Sequence, residues 1–201
     1  MGAAIAKDAG ISEEKFFPLW RGLNEERTVG KMTLEELLTR ILEANECYSE
    51  ELLNKLVEKR VATKAEAFRH LHNEILPMLS LLKEKGMLVG LISNCYEREA
   101  KVIRESELFP FFDGAYLSCE LGVAKPNVAI FETCMKEFGV KPEECLYIGD
   151  GGSRELETAT ALGMKALQAV WYLQEGSTQM SKPMVNFLQA ETPLEVLKYL
   201  D

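Results

Sequence analysis

The second half of this chain alternates two kinds of segment, and that alternation limits the fold more than any other feature of the sequence. Short apolar runs stand at "MLVGLIS" (87–93), "GAYLS" (114–118), "CLYIGD" (145–150) and "KALQAVWY" (165–172). Between them lie helix-like stretches: "EREAKVIRESEL", "NVAIFETCMKEFG" and "RELETATALG". "TPLEVLKYL" closes the chain as a helix from Thr192. Apolar runs of this length, each followed by a helix, read as strands of a parallel sheet covered on both faces. In such sheets ligands bind outside the carboxyl ends of the strands. The polar residues at those ends are therefore the candidates for function.

Residues 1–77 have a different pattern, helical throughout, and are expected to form a separate helical bundle; residues 78–201 form the α/β part. Ser12 with Glu13 and Glu14 marks a helix start. Thr33 with Glu36 three residues on predicts a capping box. Leu34, Leu37, Leu38, Ile41 and Leu42 recur at helical spacing and predict one buried stripe. Ser49 starts the same pattern again, and the stretch from Thr63 continues it to a C-cap at Gly86. Phe16, Phe17 and Trp20 are assigned to the bundle core rather than to a ligand cleft, since large aromatics at this spacing are usually buried. His70 and His72 are read as ordinary helix histidines.

Composition excludes several classes. The net charge of −9 and the absence of a Lys/Arg arm argue against a nucleic-acid partner. There is no apolar stretch of the roughly 18 residues that a membrane span requires. Five cysteines without a CxxC pair fit a reducing, cytoplasmic setting, and neither histidine has a cysteine at zinc-ligand spacing.

Three polar signals follow strands: Ser93-Asn94, Lys125 before Pro126, and Asp150 with Glu155 beyond it. Each has an ordinary reading: a cap of Asn94 with Glu97, a loop lysine, a glycine turn. Together they describe one chemistry. A hydroxyl and the N–H groups of a helix start hold phosphate oxygens. A lysine adds positive charge. Carboxylates supply hard oxygen ligands suited to Mg²⁺. Gly149, Gly151 and Gly152 let the loop come close without a Cβ in the way.

These segments resemble the haloacid dehalogenase (HAD) superfamily, mostly Mg²⁺-dependent phosphatases. "GLISNCYERE" is similar to its second motif, "LGVAKPNVAIFE" to its third and "YIGDGGSRELETATALGMKAL" to its fourth. The resemblance covers about residues 78–175. It implies a Rossmann-like core with a helical cap, a small phosphorylated substrate, no nucleic-acid or membrane partner, and an assembly that admits a homodimer. It also implies Ser93 and Asn94 as phosphate binders, Lys125 as the phosphate-neutralising lysine, and Asp150 and Glu155 as metal ligands. Glu155 stands where the family more often has Asp, so contact through water or a loop-orienting role is the alternative.

The family's first motif, a strand ending in DxDxT that carries the nucleophilic aspartate, has no counterpart. The only Asp before Asp113 is Asp8, in a helix-like "GAAIAKDAG". The expectation is a core lacking its usual first strand. A fragment or mis-started reading frame is preferred to another element filling the slot or to a noncatalytic relative. That strand would lie between those ending at Ser93 and Asp150, so both would be left with an open edge. As given, the chain is expected to be inactive. A noncatalytic phosphate- or metal-binding module is the competing function. A dehalogenase is disfavoured by the carboxylates, because that reaction needs no Mg²⁺. A dinucleotide-binding enzyme is disfavoured by the lack of GxGxxG.

Overall fold

The structure, a computed structural model, describes residues 2–173 and 181–200. In chain order its elements are α1 (Gly2–Asp8), α2 (Glu13–Gly22), α3 (Asn24–Thr28), α4 (Leu34–Ala44), α5 (Glu50–Arg69), α6 (Ile75–Glu84), β1 (Gly90–Ser93), α7 (Glu97–Arg104), β2 (Gly114–Leu117), α8 (Ser118–Leu121), α9 (Val128–Phe138), β3 (Leu146–Gly149), α10 (Glu155–Leu162), β4 (Lys165–Ala169) and β5 (Leu188–Ala190). The chain divides into two compact units. One takes the described residues within Met1–His70, Asn94–Phe109 and Leu117–Ala124; the other takes those within Leu71–Ser93, Pro110–Tyr116 and Lys125–Asp201.

The first unit is helical because its sequence carries both the stripe and the caps that helices need. Thr33 Oγ1 accepts the Glu36 N–H at 3.1 Å, and Glu36 Oε2 accepts the Thr33 N–H at 2.8 Å. This is the expected capping box. Ser49 Oγ accepts the Leu52 N–H at 3.1 Å and starts α5. All five residues of the stripe on α4 are buried, four of them completely. With Ile5, Phe16, Leu56 and Val57 they form one core, against which Phe17 and Trp20 pack. At roughly 1.5–3 kcal/mol per buried aliphatic side chain, this stripe is the main source of helix stability here. Asp8 ends α1 and pairs with Lys59 at 2.5 Å, so it is a helical residue and not the end of a strand.

The second unit contains the strands. β3 runs parallel to β4, with Ile148 opposite Leu167 and Gly149 opposite Gln168. β4 runs parallel to β5. β1 pairs with β2 in a separate two-stranded sheet. Among the described residues the strands therefore form two sheets. The break falls between the strand ending at Ser93 and the strand ending before Asp150, the place where the expected first strand would lie. α9 touches both sheets: its Phe131 ring lies 5.2 Å from that of Tyr147 in β3, and its Cys134 and Phe138 crowd Gly90 in β1. No residue of β1 or β3 is fully buried, although Leu91, Ile92, Leu146 and Ile148 are apolar. β4, paired on both sides, buries Leu167 and Gln168 completely.

Four expectations change at element boundaries. The long helical stretch up to Gly86 is two helices, α5 and α6; at the break His72 Nδ1 accepts the Glu74 N–H at 3.2 Å, and Tyr172 OH accepts the His72 N–H at 2.6 Å. The first strand begins at Gly90, because the Val89 N–H is taken by Asp113 Oδ2 at 2.7 Å instead of a neighbouring strand. The segment after Thr192 is a 3₁₀ helix, Pro193–Tyr199, with proline at its start. β5 was not expected: it is three residues long, too short to show a period. Residues 174 and 175, the end of the resemblance, lie outside the described residues.

Candidate active site

Asp150 follows the last residue of β3, and Glu155 is the first residue of α10. The loop between them is shaped by its own polar groups. Asp150 Oδ1 accepts the Gly152 N–H at 2.8 Å, a side-chain turn that sets the direction of the carboxylate. Its other oxygen takes no hydrogen bond from the described residues. Glu155 Oε1 accepts the Gly151 N–H at 3.3 Å. Gly151 has φ 89°, a left-handed conformation that favours glycine, and a Cβ there would stand 2.9 Å from Met184 Sδ. At Gly149 a Cβ would come within 2.2 Å of Glu155 Oε1. Both glycines are therefore required by the close approach of the loop.

Lys125 meets this loop from the segment before α9. Its ammonium is ion-paired and hydrogen-bonded with Glu155 Oε2, and it lies 3.3 Å from Tyr147 OH. Tyr147 OH in turn donates to Glu155 Oε2 at 3.2 Å. The side chains of Lys125 and Glu155 are 11% and 4% exposed, so this is a buried pair, which fixes geometry more than it adds stability. Burial, followed by the charge of Glu155, pushes the Tyr147 phenol well above its ordinary pKa, so it stays a neutral donor.

Of the residues expected from the sequence, the structure brings Lys125, Asp150, Glu155 and the glycines 149, 151 and 152 into one network. Ser93 ends β1 in the same unit, half-buried. Asn94 falls in the helical unit, and the cap of α7 is Tyr96 without a side-chain bond, so Asn94 and Glu97 form no capping box there. His70 is an exposed partner of Glu66, as expected of an ordinary histidine.

Sequence reasoning missed Tyr147 and Gln168. Gln168 is fully buried in β4; its Nε2 donates to the carbonyls of Asp150 at 2.9 Å and Lys182 at 2.8 Å, and its Oε1 accepts the Met184 N–H at 2.7 Å. It ties the backbone of Asp150 to the segment beside it. The signal was present: one amide in an otherwise apolar run, which a buried strand tolerates only when every polar atom is satisfied.

The donor set bears on Mg²⁺. Mg²⁺ keeps several waters and takes one or two carboxylates together with substrate oxygens. Asp150 fits that role with the oxygen that no described residue engages. Both oxygens of Glu155 are already held by Lys125, Tyr147 and Gly151. Among the described residues no group of three His, Cys, Asp or Glu side chains stands ready to hold a metal.

The family model for haloacid dehalogenase-like hydrolases matches residues 3–163. The chain belongs to that family. It is 31% identical over 112 residues to a glyceraldehyde 3-phosphate phosphatase of Methanopyrus kandleri, covering 55% of this chain and 46% of that protein. It is 33% identical over 124 residues to one of Pyrococcus furiosus, covering 58% and 50%. The chain thus spans about half the length of the curated relatives it matches. Among solved structures, a 2-haloacid dehalogenase from Pseudomonas syringae has a TM-score of 0.66 at 20% identity, covering 97% of this chain and 84% of that one. A HAD family enzyme of Bacteroides thetaiotaomicron in complex with magnesium and inorganic phosphate has a TM-score of 0.57 at 23% identity, covering 84% and 81%. These two show the fold.

Proposed function

We propose that this chain carries the phosphate-handling part of a Mg²⁺-dependent phosphatase that acts on a small phosphorylated metabolite. The observation that supports the reading most is the buried Lys125–Glu155–Tyr147 network beside Asp150, at the carboxyl end of a parallel strand. Lys125 neutralises phosphate oxygens and Ser93 donates its hydroxyl to them. Glu155 acts by holding Lys125 and the Gly151 loop in place. Asp150 is the residue that holds the metal, which, when bound, supplies charge to the phosphate oxygens. The attacking carboxylate of the family, which forms an aspartyl-phosphate, is not among these residues. In this reading it is supplied by a strand between β1 and β3, and the present chain is inactive without it. Residues 1–77 serve as the helical domain that selects the substrate, and residues 78–201 as the catalytic core. Five free thiols and the lack of a described helix long and apolar enough to cross a membrane support a cytoplasmic enzyme.

The test is Mg²⁺-dependent release of phosphate from an aryl phosphate and from glyceraldehyde 3-phosphate, with and without an upstream strand ending in DxDxT. Turnover with that strand and none without it is the expected result. Phosphate binding without turnover in both forms would replace this reading with a noncatalytic binding module.

A further inference from the structure

The helical unit holds two arginines that its own side chains leave unsatisfied. Arg27, on α3, is 1% exposed. Its guanidinium carbon lies 4.1 Å from the ring centre of Trp20 and 4.0 Å from that of Tyr96. Nη2 donates to Asn24 Oδ1 at 2.9 Å and to Tyr96 OH at 2.8 Å, whereas Nε and Nη1 are buried without an acceptor. Arg60, on α5, is 8% exposed. Its Nη2 donates to Glu99 Oε1 at 2.7 Å, and its Nε and Nη1 are also buried without an acceptor. Lys64 Nζ lies 3.3 Å from the same Glu99 oxygen.

Arg60 and Lys64 therefore share one carboxylate, and Arg27 has none in contact. Tyr96, which bonds Arg27, is the N-cap of α7, and Glu99, which bonds Arg60, lies in its first turn, so one helix start gathers both guanidinium groups. Burial is the main influence that lowers the pKa of Arg27; the charge of Arg60 acts in the same direction and that of Glu99 opposes it. The aromatic contacts occupy the faces of Arg27. A further acceptor must approach in the plane of the guanidinium, toward the unmade N–H groups. The cluster is not sealed, because Asn24 is exposed and the side chain of Lys64 is 31% exposed. Each buried donor without a partner is penalised, and a native structure that leaves four of them beside surplus positive charge has room in its energetics for an anion.

We propose that Arg27 and Arg60 form a receptor for a small oxyanion, a carboxylate or phosphate group, with Trp20 and Tyr96 as its walls. The anion accepts from the unmade N–H donors and balances the charge that Glu99 alone does not. Every residue of this receptor belongs to the helical unit, so the proposal stands independently of the phosphatase reading.

The experiment uses the full chain carrying Trp171→Phe, which leaves Trp20 as its one tryptophan. Sodium malonate and sodium phosphate are titrated separately against sodium chloride at matched ionic strength. Trp20 emission and the NMR signals of the arginine Nε–H groups are followed. The expected result is a saturable change with at least one oxyanion, with Kd of about 1 mM or tighter, in both the emission and the Arg27 and Arg60 Nε–H shifts. Which anion binds separates a carboxylate receptor from a phosphate receptor. Arg60→Lys keeps the charge but loses the planar donors, and weakens binding about tenfold or more while the urea midpoint stays near that of the parent. Phosphate held by Lys125 alone would leave these probes unmoved. No saturable change with either anion, an equal change with chloride, or unaltered affinity in both Arg27→Lys and Arg60→Lys overturns the proposal.

Discussion

The helical core around α4 and the strands β1 and β3 are built from similar residues with opposite results. Leu37, Leu38, Ile41 and Leu42 are fully buried, whereas Leu91, Ile92, Leu146 and Ile148 are all only partly buried. The difference lies in what each element needs from outside itself. A helix satisfies its own backbone and has to find only one apolar neighbour. A strand needs cover on both faces before its side chains are removed from water; β2, though it ends a sheet, has that cover at Tyr116 and Leu117. β4, with β3 and β5 on either side, meets that condition and buries Leu167 and Gln168. β1 and β3 do not.

Substitutions test this contrast, the largest effect first. Lys125→Ala leaves the Glu155 carboxylate buried and without its counter-charge, and is expected to cost about 3–5 kcal/mol by urea denaturation. Near-neutrality would mean that the network is open to water. Leu38→Ala in the completed core should cost about 2–5 kcal/mol, and Leu91→Ala in β1 clearly less. Equal penalties would remove the comparison between the two regions. Gly151→Ala forces a Cβ against Met184 in a left-handed turn and should cost about 1–3 kcal/mol by urea denaturation, and should weaken the metal binding proposed for Asp150, read by Mn²⁺ titration. Ser49→Ala removes the cap of α5 for about 0.5–2 kcal/mol, read from the same unfolding curves.

The smallest effect is one of pH. Hydrogen bonds from Thr33, chiefly its backbone N–H, hold Glu36 below the usual glutamate range. A carboxylate lowered on folding adds stability above its unfolded pKa and loses it as pH falls through the folded value. Glu36→Gln should therefore lower the neutral side of the stability profile slightly and flatten its fall toward acid, where variant and parent converge. An unaltered acid slope would show that the capping box does not persist in solution.

Much of the candidate site was visible in the chain. Asp150, Lys125 and the glycines stand out because strand ends, turns and charge are local properties. The contacts of Glu155 were not visible. An acid near a metal loop and an acid held by a lysine thirty residues away look the same in sequence. Tyr147 and Gln168 were passed over because each lies within an apolar run, where its partners come from distant segments. Arg27 and Arg60 were hidden for the same reason, since ordinary helix arginines are exposed.

By itself the amino-acid order determined the elements and their caps: the stripe of α4, the Thr33 box, the alternation after residue 87 and the polar strand ends. Those features rest on hydrogen bonds and periodicities within a few residues. Only the tertiary structure decided that the strands form two sheets instead of one, that Glu155 is bound by Lys125 and Tyr147, and that two arginines lie buried in the helical unit without enough acceptors. Each of these depends on which remote groups share a desolvated volume, where pairing and exclusion of water set the energy.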